Sequence, residues 1–149
     1  MKTLILILGI ILTTSCSDDD NKSITQNTSI SFTEIGKGAL SGNGAEGISQ
    51  SNIVITNSAE WQNMMIQMNS VNMVTNEFSQ TNVDFSSYTV IAVFLEVKTS
   101  GWQVEISDII ENEKNIVVSK TEEKGVNSVI TQPFHIVKIP VTSKPIVFE

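Results

Sequence analysis

The chain has no arginine, one cysteine and one histidine, and aromatic residues make up only 6% of its 149 residues. All nine basic residues are lysines, and the formal net charge is −7. Nucleic-acid recognition relies on a basic face and on bidentate arginine contacts, so this composition argues against a nucleic-acid partner. A single cysteine excludes an internal disulfide and a thiolate-rich metal site. Hydrophobic residues reach 40%, which is enough for the core of one ordinary domain.

The first 15 residues have the pattern of a secretory signal peptide. Met1–Lys2 is followed by the apolar run Leu4–Leu12, which is far shorter than the roughly 20 residues of a transmembrane helix. Small residues then lead to Cys16 and resemble a bacterial lipobox, although Thr13 stands where leucine is usual. We therefore expect cleavage before Cys16 and acylation of its thiol, which would anchor the mature chain to a membrane. The alternative is an ordinary secreted protein with an isolated cysteine.

An acidic run follows the cysteine directly: Ser17, Asp18, Asp19 and Asp20. It resembles the lipoprotein export signal of Bacteroidota, and this resemblance implies an outer-membrane lipoprotein exposed on the cell surface. The alternatives are a solvated tether and a protein on the periplasmic face. We interpret residues 16–31 as the acylated cysteine, the acidic run and a polar linker, and residues 32–149 as a single globular domain.

The glycine-rich stretch Gly36–Gly47 is expected to form turns. Within it, Gly42–Gly47 satisfies G-x-G-x-x-G, but Ile53–Ile55 then reads as a strand where a nucleotide site needs a helix. A helix is predicted after Ser58, its expected N-cap, from the apolar spacing of Trp61, Met64, Met65 and Met68. We expect this stripe to pack on a sheet; the alternative is a soft partner-binding surface.

Val90–Leu95 is an uninterrupted apolar run, which predicts a central strand covered on both faces. An exposed loop is expected at Lys98–Gly101. Trp102 then opens a strand with one buried face, whose alternation fails at Asp108 and so indicates a bulge or the strand's end. Trp102 itself is interpreted either as part of the core or as an exposed contact residue.

Further strands are predicted around Ile116–Val118, Ser128–Val141 and Ile146–Phe148, with a charged turn at Lys120–Asn127. Pro133 and Pro140 are expected at a bulge or in edge positions. The predicted fold class is α+β, mainly antiparallel β. We expect a small curled sheet, a sandwich or an open barrel with one amphipathic helix packed on it.

Three short motifs resemble the C-terminal domain of the PrcB family of protease-complex lipoproteins. They are Val83–Phe85 before the central strand, Thr99–Trp102 after it, and Pro133–Pro140 near the end. Ser100 stands where the family carries its first loop glycine. The family is named for a lipoprotein that associates with and stabilises a secreted or surface protease, and the resemblance implies a partner-binding lipoprotein.

No catalytic apparatus is visible in the sequence. No Gly-x-Ser-x-Gly elbow points to a nucleophile, zinc ligands are too few, and His135 is interpreted as a structural residue bonded locally. We predict a non-enzymatic protein without cofactor or metal that binds a partner protein. The candidate contact residues are Lys98, Thr99, Ser100, Gly101 and Trp102. The alternative is a small-ligand or carbohydrate-binding module that uses Trp102 or Trp61 as a stacking platform.

Overall fold

The computed structural model describes residues 27–149. Within this range the chain forms nine β-strands, one α-helix and one short 3-10 helix. The strands are β1 (Thr28–Ser29), β2 (Thr33–Leu40), β3 (Ser51–Ile55), β4 (Tyr88–Phe94), β5 (Lys98–Thr99), β6 (Gln103–Glu111), β7 (Ile116–Glu123), β8 (Ile130–Pro140) and β9 (Ile146–Phe148). The helix α1 spans Ser58–Met68, and the 3-10 helix spans Val74–Glu77.

The strands lie in two sheets. Sheet I has the order β1-β6-β7-β9, sheet II has the order β2-β8-β4-β3, and β5 pairs with the first residues of β8. All paired strands are antiparallel except β7 and β9, which run parallel. The predicted α+β class with mainly antiparallel strands is confirmed, and the sheets of residues 27–149 stay open and form no closed barrel.

The strand β4 lies at the centre of three layers. The even-numbered residues of Val90–Leu95 belong to a hydrophobic cluster with α1, and the odd-numbered residues belong to a second cluster with β6 and β7 of sheet I. Every residue of this run is buried. Sheet II is thus covered by the helix on one face and by sheet I on the other, as an unbroken apolar run predicts.

The helix α1 buries the predicted stripe of Trp61, Met64, Met65 and Met68 against sheet II. Its N-cap is Asn57, whose side chain accepts a hydrogen bond from the backbone N–H of Glu60, and Ser58 is already helical. The prediction of Ser58 as N-cap was therefore wrong by one residue. Asn57 takes this position because its side-chain oxygen reaches the free N–H three residues on.

The folded region begins earlier than predicted. Thr28 and Ser29, which belong to the predicted linker, pair with Glu111 and Ile110 at the end of β6. The backbone N–H of Ile30 also donates to the carbonyl of Ile109. These contacts use backbone groups, so the polar, exposed side chains gave no sign of them.

The glycine-rich stretch is only partly a turn. Gly36 and Gly38 lie inside β2, and a Cβ on Gly36 would come within 2.5 Å of the Phe78 ring. Glycine is required there because an aromatic side chain packs directly on the backbone. Gly44 and Gly47 do lie in the expected turn and adopt positive φ.

Three other predictions in the C-terminal half are resolved. The irregularity near Asp108 is a β-bulge, because the register of β6 and β7 shifts between Ile106 and Asp108 while β6 continues. The charged turn starts later than expected, since β7 extends to Glu123. Pro133 does not mark an edge: β8 is internal and pairs with both β2 and β4.

Candidate functional site

The predicted contact loop follows β4, and its first two residues pair with β8. Lys98 and Thr99 form β5, which pairs with Thr131 and Ile130 at the start of β8, so the first half of the predicted loop is a strand. Thr99 is exposed as expected, whereas the other three residues of the predicted loop are half-buried. The chain then reverses through two consecutive residues with positive φ, Ser100 (79°) and Gly101 (60°). Serine rarely adopts this conformation, which glycine adopts without steric cost.

A second loop, between β7 and β8, packs against this reversal. A Cβ on Gly125 would lie 2.4 Å from the carbonyl oxygen of Gly101 and 2.9 Å from that of Ser100, so only glycine permits the contact. The N–H of Gly101 also donates to the carbonyl of Val129. The two loops therefore form one unit at this end of the protein.

This unit exposes several large apolar side chains. We call residues 96–102 together with residues 124–130 the two-loop surface. Val126 is 98% exposed, and Val97, Val129 and Ile130 of the same two segments are also exposed. Single exposed apolar residues are common, but a group on adjoining loops is typical of an interaction site.

Lys98 and Trp102 are in contact within the two-loop surface. The Lys98 ammonium lies 4.1 Å from the centroid of the Trp102 ring, within the range of a cation–π contact. The same ammonium is 3.1 Å from a carboxylate oxygen of Glu122, which also pairs with Lys120 at 2.7 Å. The hydrogen bond from Lys120 is the main reason why the pKa of Glu122 is lowered, and Lys98 adds to it.

Trp102 is half-buried and lines a cleft of about 530 Å³ between β2 and the start of β6. This intermediate exposure lies between the two interpretations that the sequence left open. The rest of the lining comes from both sheets and from the two-loop surface: Glu34, Lys37, Gly38, Ala39, Gly101, Gln103, Val104 and Thr131. The cleft is of the size usual for small-molecule sites.

His135 lies behind one wall of this cleft and is almost completely buried. Its Nδ1 accepts a 2.7 Å hydrogen bond from the backbone N–H of Ile106, and its Nε2 is 3.1 Å from Oε2 of Glu34. Burial lowers the pKa of His135, and the Glu34 carboxylate opposes this effect. The ring is therefore neutral near pH 7 and carries its proton on Nε2. His135 is bonded across the two sheets, so the prediction of a local bond was wrong.

Trp61 does not form a ligand-stacking platform. It is 1% exposed, its Nε1–H donates to the carbonyl of Thr81, and its ring stacks on Phe78. The helical spacing predicted a buried Trp61, and this prediction is confirmed.

The remaining predicted site residues lie outside the described residues. They are Cys16, the predicted lipidation site, and Ser17–Asp20, the predicted export signal. Within residues 27–149, no three His, Cys, Asp or Glu side chains are grouped so that they could hold a metal ion. The helices of this range are also too short or too polar to cross a membrane.

Sequence reasoning missed both the cleft and half of the two-loop surface. Val126 and Val129 are apolar residues in a polar loop, and this signal was available in the sequence. Glu34 and Lys37 gave no such signal, because their place beside Trp102 depends on the pairing of β2 with β8.

No model of a known protein family, no curated protein and no solved structure matches this chain.

Proposed function

We propose that this chain is a non-enzymatic, lipid-anchored envelope protein that binds a partner protein through the two-loop surface. The observation that carries the proposal is the group of exposed apolar side chains on two interlocked loops, with Val126 at its most exposed point. Exposing apolar surface to water is unfavourable, and a partner that covers these side chains removes this cost. The resemblance to the PrcB family supports a protease complex as that partner.

Three contacts order parts of the two-loop surface before a partner binds. The β5–β8 pairing, the contact of Gly125 with Gly101 and the Lys98–Glu122 ion pair each fix one part of it. Loops that are ordered before binding lose less conformational freedom when the partner arrives.

The first paired residue of the fold, Thr28, lies far from the two-loop surface, which favours exposure of that surface away from a membrane anchor at Cys16. Thr28 pairs with Glu111 at the last residue of β6, whereas the two-loop surface adjoins Gln103 at the first residue. Eight residue steps along a strand span about 26 Å. A lipid on Cys16 would hold the protein at the Thr28 end and leave the two-loop surface facing outward.

Lipid anchoring and surface export are tested separately. Cys16→Ala should release the protein from the membrane fraction, because acylation needs the thiol. Replacing Asp18, Asp19 and Asp20 by alanine should keep the anchor but make the protein resistant to external protease on intact cells. Unchanged protease sensitivity would contradict the role of the three aspartates as an export signal.

The absence of enzyme activity is part of the proposal. His135 has both ring nitrogens engaged by Ile106 and Glu34, and its lowered pKa leaves it neutral. This arrangement supports a structural role. Turnover of any substrate that is lost in His135→Asn, while the variant stays folded, would contradict it.

The partner is tested by chemical crosslinking on intact cells followed by mass spectrometry. Val126→Asp should abolish crosslinking to the main partner. The substitution places a charged carboxylate where the most exposed apolar side chain would be covered. Ile66→Asp is the matched control, since Ile66 is 67% exposed on the outer face of α1. Loss of the partner in both variants, or in neither, would contradict the proposal.

A small-ligand or carbohydrate site is the second candidate function, and the 530 Å³ cleft beside Trp102 favours it. An aromatic ring in such a cleft can stack on a sugar. The purified protein would then bind glycans on an array, and Trp102→Ala would abolish that binding. Glycan binding that persists in Trp102→Ala would exclude the cleft as the glycan-binding site.

A further inference from the structure

One edge of sheet II is open between Lys37 and Ala39. Pro133, which lies opposite Ala39, uses its carbonyl to accept a hydrogen bond from Leu95 on the β4 side. In an antiparallel strand the N–H and C=O of one residue point to the same side, so Ala39 directs both groups away from β8. Lys37, two residues earlier, does the same. The alternation ends at Ile35, where the register with β8 shifts, and the Ile35 carbonyl accepts a hydrogen bond from the N–H of Ser79.

The outward backbone groups of Lys37 and Ala39 have no hydrogen-bond partner among residues 27–149. They present two donors and two acceptors in a row, which is the pattern that an added strand pairs with. The Lys37 side chain does not block this edge, because its ammonium is held 2.9 Å from a carboxylate oxygen of Glu105.

A cleft lies on each side of this edge. The 530 Å³ cleft with Trp102 is on the sheet I side, and a second cleft of about 240 Å³ is on the helix side. Both are lined by Lys37, Gly38 and Ala39. The second cleft has walls of Val74, Phe78 and Phe134 with Glu77 at its rim, and it stays open because Gly38 has no side chain.

We propose that this open edge binds an extended peptide segment of a partner protein by strand addition. Successive side chains of an extended peptide point to opposite faces, so they enter the two clefts alternately. The inference rests on the proposed partner-binding function and names a second contact, which shares Gly101 and Trp102 with the two-loop surface.

The charges beside the edge select the peptide's composition. Glu34 and Glu105 are each more than half exposed on the sheet I side, and Lys37 pairs with Glu105, so these three groups leave one net negative charge beside the edge. A lysine or arginine of the peptide fits this side by charge complementarity. A medium-sized apolar side chain fits between Phe78 and Phe134 on the other side. A second copy of this chain fits less well, because its own β2 carries glycine at positions 36 and 38 and so offers no apolar side chain there for the helix-side cleft.

The test uses random nonapeptides displayed on phage and selected on the immobilised full chain. We expect selected sequences in which basic and apolar residues alternate. Their synthetic versions should bind Ala39→Pro at least tenfold more weakly, because proline removes an outward N–H that the fold itself does not use. Selected peptides without alternation, or equal affinity for Ala39→Pro, would overturn the proposal.

The matched control is Asn52→Pro, on β3 at the opposite edge of the same sheet. Asn52 lies opposite Val93, which pairs with His135 on the other side, so the Asn52 N–H also points outward. This variant should bind the peptides like the wild type. An equal loss in both variants would overturn the proposal.

A second variant guards against misfolding of Ala39→Pro. Gly38→Leu fills the helix-side cleft, and its Cβ would meet Phe134 at an ordinary 3.5 Å. It should bind the peptides at least tenfold more weakly and keep a wild-type circular dichroism spectrum. Equal affinity of a folded Gly38→Leu would overturn the proposal.

Two further outcomes separate this inference from the proposed function. If light scattering shows a wild-type dimer that Ala39→Pro converts to a monomer, a second copy occupies the edge and the proposal is overturned. If the cellular partner is lost in Val126→Asp but kept in Ala39→Pro, the strand-addition proposal fails and the proposed function stands.

Discussion

The backbone N–H of Ile106 donates a 2.7 Å hydrogen bond to Nδ1 of His135, and this bond joins the two sheets inside the core. The bond gives the Ile106 N–H a partner beside the bulge of β6, where the hydrogen-bonded pairing with β7 is interrupted. A buried N–H without a partner would cost about 1–3 kcal/mol. The one histidine of the chain therefore serves the stability of the sheet packing.

The stability of the protein should fall as the pH drops below about 6.5. Burial holds the pKa of His135 below its usual 6.5, so over this range the unfolded chain binds a proton that the folded chain does not. The free energy of unfolding should decrease by up to about 1.4 kcal/mol per pH unit from this group. Urea unfolding between pH 7.5 and 5 measures the slope.

His135→Asn is the control for this pH dependence. Its side-chain oxygen can still accept from Ile106 but cannot take up a proton in this range. The variant should be less stable at pH 7.5 and show a shallower slope between pH 7 and 5. A slope as steep as that of the wild type would show that other groups cause the acid sensitivity.

Gly36→Ala should destabilise the fold by about 1–3 kcal/mol, because the new methyl group would overlap the Phe78 ring. Phe78 has little room to move, since it packs against both Trp61 and Phe134. Gly38→Ala is the matched control in the same strand, and its methyl group meets Phe134 at ordinary contact distance. Similar urea midpoints for the two variants would contradict the packing described for β2.

Gly125→Ala should separate the two loops without unfolding the domain. A methyl group there would meet the carbonyl oxygens of Gly101 and Ser100, which are backbone atoms and cannot rotate away. We expect faster cleavage within residues 124–130 in limited proteolysis and weaker partner crosslinking. In the proteolysis assay Gly38→Ala is the control, since its methyl group meets Phe134 only at ordinary contact distance. Wild-type proteolysis of Gly125→Ala would contradict the close contact of the loops.

The elements that could be predicted from the sequence are those whose side-chain pattern reflects burial. The run Val90–Leu95 and the stripe from Trp61 to Met68 each follow the period of their element, and both were placed correctly. The bulge near Asp108 was also visible, because it interrupts an alternation.

The features that were missed depend on backbone pairing between distant segments. Pro133 suggested an edge, yet its carbonyl accepts from Leu95 of the neighbouring segment, and the Leu95 carbonyl accepts from the Gln132 side chain instead of from a Pro133 N–H. The strand at Thr28–Ser29 has exposed polar side chains and is defined only by its pairing with β6. The cleft beside Trp102 arises from the arrangement of β2, β6 and β8, and no local pattern encodes it.

The partner-binding role is tested most directly by a photo-crosslinking amino acid placed at single positions in cells. At Val126, we expect one dominant crosslinked protein on irradiation. At Ile66, which is also exposed but lies on α1, we expect none. A crosslink of equal strength at both positions, or one at Ile66 alone, would contradict the assignment of the two-loop surface as the binding site.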